Sequence, residues 1–169
     1  MKLRGKKKLV EVVTKIVKEF GLEGAVLSYQ EWEYDRKTDK IKFTPRVDWT
    51  DKVFNDFLAD EFGMVNPNIF IISLLHEVGH YMTDDEFDEI DDLYLWNAKQ
   101  DNLAKLNATH DEKELKALEY IYFRLPDEYA ATEWAVDFYE SHPQWVVKMT
   151  AKVNKALCKF NKKNGIIEW

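Results

Sequence analysis

Leu9, Val12, Val13, Ile16, Val17 and Phe20 recur at the spacing of one helical face and predict an amphipathic helix over residues 6 to 20, with Gly21 as its stop. The pattern then changes. Residues 24 to 34 are β-branched and aromatic enough for a strand. Leu27 and Tyr29 share one parity while Trp32 and Tyr34 share the other, which places a bulge or break near Gln30. Residues 35 to 39 form a polar turn, and residues 40 to 44 alternate as a second strand ended by Pro45. A β-hairpin with at least one exposed edge is expected. From residue 48 onward the period is helical. Residues 48 to 62 present Val53, Phe54, Phe57 and Leu58 on one face and end at Gly63. Asn66-Pro67-Asn68 then opens an apolar helix over residues 69 to 82, with Asn as cap and Pro in the first turn. Thr83 to Glu86 reads as a capping box leading an acidic helix to about Leu106. Further helices follow over residues 111 to 123 and 126 to 140. A last helix sets Val146, Met149, Val153, Ala156 and Phe160 opposite Lys148, Lys152, Lys155, Lys159 and Lys162. The expected class is α+β, mostly helical, with a small β-hairpin or sheet packed against a central helix, as one domain over residues 1–169.

The helix over residues 69 to 82 carries the chemistry. Ile69, Ile71, Ile72, Leu74, Leu75 and Val78 make it apolar nearly all round, so it should be buried. It ends in His76-Glu77-Val78-Gly79-His80, and buried His and Glu should be paired or metal-bound. Residues i and i+4 lie on one helical face, so both imidazoles can reach one ion. Glu77 sits about 100° around from His76, where it can reach a water on that ion but not bind the ion itself comfortably. Two neutral nitrogens, an open coordination position and a neighbouring carboxylate are what a zinc peptidase needs.

Such a site takes a third protein ligand. His110, His142 and the acids downstream are the candidates. In the helix over residues 126 to 140, Ala131, Thr132, Ala135 and Tyr139 fall within about 60° of Glu128 on the helical wheel. That face is small near Glu128 and allows a close helix approach, whereas Glu133, Asp137 and Glu140 cluster on the far side as a solvated face would. The wheel favours Glu128 over Glu133. An acid favoured by the helix dipole is the plainer account of Glu128.

His76-Glu77-Val78-Gly79-His80 followed by Glu128-x-x-Ala131-x-x-Trp134-Ala135 resembles the gluzincin pattern, H-E-x-x-H plus a Glu from a later helix. The short frame is similar to the minimal zincins of the ImmA/IrrE type found in bacteria, phages and mobile elements. The Glu-Tyr-x-Ala spacing also resembles CAAX-type membrane peptidases, though this chain has no membrane spans. The resemblance covers roughly residues 69 to 82 and 126 to 139. It implies a zincin-like fold in which a helix precedes a small sheet, the metal helix packs across that sheet and a later helix brings the Glu. Where such families often place Asp or Asn after the Ala to support a ligand, this chain has Thr132.

Composition narrows the setting. Cys158 is the only cysteine, which excludes a disulfide framework and a Cys-based zinc site. Residues 1 to 8 are basic like a signal n-region, but an amphipathic helix follows instead of an apolar core. No stretch nears the ~20 apolar residues of a membrane span, and a cytoplasmic protein is expected. Seven of the nine residues from 84 to 92 are acidic, but they lack the Gly and spacing of a calcium loop and read as a solvated helix start. A net charge of −7 argues against general nucleic-acid binding.

The expected function is zinc-dependent peptide-bond hydrolysis on a peptide or protein substrate. His76, His80 and Glu128 would hold Zn²⁺ and Glu77 would be the catalytic base. Tyr81, Tyr129, Tyr139, His110, His142 and Arg124 are candidates for the oxyanion donor. The edge of the hairpin over residues 25 to 44 could take a substrate by strand addition. One rival is a non-catalytic zinc-containing interaction protein, against which Glu77 counts. A second is a nucleic-acid-binding module using the lysine stripe of the last helix. Substrate, oligomeric state and host or phage origin are not legible.

Overall fold

The computed structural model describes residues 5–164, so residues 1 to 4 of the basic leading stretch lie outside the described residues. The elements run α1 (Lys6–Lys18), β1 (Gly24–Leu27), β2 (Glu33–Asp35), β3 (Lys40–Phe43), α2 (Trp49–Phe62), α3 (Ile69–Met82), α4 (Glu89–Ala108), α5 (Glu112–Phe123), α6 (Pro126–Ser141) and α7 (Pro143–Asn164), with a short 3-10 turn Asp84–Glu86 before α4. The class is α+β and mostly helical, as the periodicity predicts. None of the described helices is long and apolar enough to cross a membrane. The chain divides into two compact units, Met1–Arg46 with Phe138–Trp169 and Val47–Asp137.

In the first unit α1 ends where expected. Gly21 takes φ 102, and the Gly21 and Leu22 amides donate back to the Lys18 and Val17 carbonyls at 3.1 and 3.4 Å, closing a Schellman motif. The expected hairpin forms between β2 and β3, antiparallel about the turn at residues 36 to 39, but the sheet has a third strand. It is mixed, in the order β1-β3-β2, with β1 parallel and β2 antiparallel to β3. The reason is the break near Gln30: after the Ser28 amide donates to Phe43, residues 29 to 32 leave the ladder and carry the chain across, so the predicted single strand becomes two that flank β3. Ile41 and Phe43 of central β3 are fully buried. Helix α1 packs on β1 and α7, and the Ala25 amide donates to Thr14 Oγ1 at 3.2 Å. The apolar face of α7 is buried as predicted, and its five-lysine stripe is exposed.

The second unit is helical. Asp48 caps α2 in a capping box with Asp51, and Gly63 at φ 67 ends it. Phe54 and Phe57 meet Phe123 of α5 at 5.1 and 5.2 Å between ring centroids. Asn68 caps α3, accepting from the Ile71 amide at 2.9 Å, which leaves Pro67 ahead of the cap rather than in the first turn. Every α3 residue from Phe70 to Gly79 is buried, so it is the core helix its composition predicts. The start of α4 needs correcting. The box expected at Thr83–Glu86 is the short 3-10 turn, and Asp88 with Asp91 forms the real one, because Asp88 adopts the extended backbone a cap requires.

Asp51 is buried against Ser73, whose hydroxyl donates to it at 3.4 Å. Burial, helped by the charge of Asp48, pushes its carboxyl up from 3.8 to about 6. The fold therefore prefers the neutral acid, and that contribution is complete below pH 3.8 and is lost as pH rises through about 6. Asp51→Asn keeps the cap acceptor without the charge. It should stabilise the protein on the order of 1–3 kcal/mol at neutral pH, with the gain vanishing by about pH 4, as urea titrations across pH would read.

Candidate metal centre

Three side chains from two helices converge in the second unit. His76 Nε2 lies 3.0 Å and His80 Nε2 3.2 Å from the same oxygen, Glu128 Oε2, and the three potential ligand atoms all fall within 4.8 Å of one another. The histidines share one face of α3 one turn apart, and Glu128 comes from the first turn of α6. A close backbone approach makes the meeting possible. A Cβ added at Gly79 would lie 2.3 Å from the Ala131 carbonyl oxygen, so α3 and α6 touch main chain to main chain. Ala131 and Ala135 are fully buried. Glu133, Asp137 and Glu140, the acids the wheel sets on the wet side, are exposed.

Hydrogen bonding orients each group. The Thr132 hydroxyl donates to the Glu128 main-chain carbonyl at 2.8 Å, so its oxygen is left to accept from His76 Nδ1 at 3.1 Å. Thr132, which stands where the resembling families often have Asp or Asn, thus supports the His76 ring. The edge of the Phe54 ring packs against the same imidazole, 5.2 Å between centroids. With Nδ1 engaged by Thr132, a neutral His76 presents its Nε2 lone pair to a carboxylate oxygen 3.0 Å away. Two acceptors at that distance repel unless a proton or a cation lies between them.

The other oxygen of Glu128 is held differently. Lys99 of α4 donates to Oε1 at 2.6 Å and to Asp127 Oδ2 at 2.5 Å, and the Tyr122 hydroxyl of α5 donates to Oε1 at 2.9 Å. Burial alone would raise the Glu128 carboxyl, but the His80 charge, the imidazole hydrogen bonds and Lys99 outweigh it and hold the group well below the usual range. Burial works against the Lys99 charge too, and the carboxylates reverse it, so its pKa is raised. For Tyr122, burial and the Glu128 carboxylate push the phenol well above its ordinary value, and it stays a donor. The charge of the buried Glu77, next to His76 on α3, acts on Tyr122 in the same sense.

Two of the three separations in the donor set suit a metal, and the two histidine nitrogens lie within 4.8 Å of each other. Tetrahedral bonds of about 2.0–2.1 Å put neighbouring ligand atoms about 3.3 Å apart. The contacts at 3.0 and 3.2 Å need open only slightly for an ion to enter. This buried group could hold a metal ion. Several sequence candidates are engaged elsewhere: Arg124 pairs with Glu61 on the surface, Tyr129 packs on Phe62, and His110 is exposed. His142 stacks on Phe138 in the first unit.

Sequence reasoning missed Lys99 and Tyr122, whose spacing from the motif carries no signal. It also passed over Gly79, though a glycine inside a buried helix costs about 1 kcal/mol and so calls for a packing reason. No protein-family profile, curated protein or solved structure matches the chain.

Two results would check the geometry. Gly79→Ala drives a methyl into the Ala131 carbonyl and should cost about 3 kcal/mol or more in denaturant unfolding, with loss of metal binding although both histidines remain. Glu128→Gln should weaken metal binding sharply, while Glu133→Gln on the exposed face leaves it unchanged, read by metal titration of each variant.

Proposed function

We propose that the protein is a zinc-dependent peptidase in which His76, His80 and Glu128 hold the metal and Glu77 is the general base. One observation supports the metal above others: His76 Nε2, His80 Nε2 and Glu128 Oε2 converge, with His76 Nε2 3.0 Å from the carboxylate oxygen while Thr132 occupies Nδ1. Two imidazoles and one carboxylate form a set that suits zinc in a catalytic rather than a closed structural site. Bound zinc supplies a Lewis acid and lowers the pKa of a coordinated water toward about 7.

The chain's own residues do the rest. Thr132 and Phe54 fix the His76 ring, and Lys99 and Tyr122 fix the Glu128 carboxylate. Of the three ligands His80 has the most exposed side chain, 18% against 10% for His76 and 4% for Glu128, so the substrate approaches on the His80 side. Glu77 takes a proton from the attacking water as its oxygen bonds to the peptide carbonyl carbon. It passes that proton to the amide nitrogen as the C–N bond breaks. A ligand role for Glu77 is disfavoured because it lies about 100° around α3 from His76, and a closed structural site has no use for a base there.

Purified protein should carry close to one zinc per chain, and His76→Ala or His80→Ala should release it. Glu77→Gln keeps the size of the side chain and should retain zinc. At matched zinc content its cleavage of an unbiased peptide library should fall by about 10²–10⁴-fold. A Glu77→Gln protein as active as the wild type would end this mechanism. Zinc in both proteins with no cleavage by either would favour the non-catalytic zinc protein.

A further inference from the structure

Glu128 is held asymmetrically, and nothing in the motif requires that. Its Oε2 faces the two imidazoles, while Oε1 accepts both the Lys99 ammonium at 2.6 Å and the Tyr122 hydroxyl at 2.9 Å. These two donors come from α4 and α5, outside the two helices that carry the ligands. Lys99 is itself held, because Asp127 takes a second of its protons at 2.5 Å and the Tyr122 ring lies 5.5 Å from its nitrogen. A carboxylate oxygen with two donors has both in-plane lone pairs engaged. A metal reaching Oε1 would have to displace a donor and sit beside an ammonium, in a site where Glu128 is only 3% exposed and little water screens the repulsion.

We propose that Lys99, assisted by Tyr122, is a positioning residue that restricts Glu128 to one-oxygen coordination through Oε2 and so keeps a coordination position open. A carboxylate free to bind through both oxygens joins two imidazoles and a water as a fifth donor, and so fills the position into which a substrate carbonyl would enter. The inference rests on the metal reading above and not on the reaction: it concerns how the carboxylate meets the ion, whatever the site then does.

Cobalt(II) is the probe, because its visible absorption is strong when four-coordinate and weak when five-coordinate. Wild-type protein stripped with a chelator should bind one Co²⁺ with the intense spectrum. Lys99→Met should bind Co²⁺ about 10–100-fold more weakly, the usual cost of losing a group that orients a ligand. At saturating metal its spectrum should drop to the weak five-coordinate form. Tyr122→Phe, which leaves the ring in place and removes one of the two donors, should move both readings the same way by less. Lys116→Met, which breaks the exposed pair with Asp56, serves as the control and should change neither. Variant spectra that superimpose on the wild type at saturation overturn the positioning role, even with weaker affinity. Should Lys99→Met fail to fold, an unchanged Tyr122→Phe spectrum overturns it equally. A wild type that binds no Co²⁺ overturns the metal reading, and this inference falls with it.

Discussion

Helices α3 and α6 meet backbone against backbone at Gly79 and Ala131. Everything at the candidate centre depends on this contact. A glutamate has a short reach, and Glu128 comes within 3.2 Å of two imidazoles only because no side chain separates the helices there. The same contact sets rotation as well as distance. With Ala131 and Ala135 buried, Glu128 and Thr132 turn inward, and Glu133 and Asp137 turn out to water. One glycine on α3 and two alanines on α6 thus determine which acid meets the histidines.

The second constraint is electrostatic. A carboxylate buried to this degree has to be paired, since an isolated buried charge costs far more than a folded protein's margin. Glu128 meets two imidazole nitrogens on one oxygen and accepts from Lys99 and Tyr122 on the other. The division gives a cluster with one side satisfied from within the protein and one side directed at lone pairs. Around it α2 and α5 supply an aromatic wall of Phe54, Phe57 and Phe123, and the Phe54 ring edge confines the His76 imidazole. The ion pairs on the outside of α2 and α5, such as Lys116 with Asp56, are exposed and add little to stability.

Helical periods were read well wherever one face is wet. The buried faces of α1, α2 and α7 are those predicted, because the contrast between oil and water repeats every 3.6 residues. Strand pairing was read less well. Periodicity shows that residues extend but not which neighbour they extend beside, so the β2–β3 hairpin and the break near Gln30 follow from the sequence while the parallel pairing of β1 with β3 does not. The start of α4 was missed for a related reason. Among so many acids several can act as a cap, and the backbone at Asp88 chooses.

By itself the sequence determined the helices, the burial of α3 and the presentation of His76, Glu77 and His80 along it, because all of these follow from spacing within one element. It also favoured Glu128 through the small residues on its side of the wheel. The tertiary structure alone decided that Lys99 and Tyr122 would meet Glu128, at separations of 29 and 6 residues. It likewise decided that Thr132 would meet His76 Nδ1 across 56 residues. Such partners are set by the packing of four helices, and no local period encodes which side chains the packing will bring into hydrogen-bond contact.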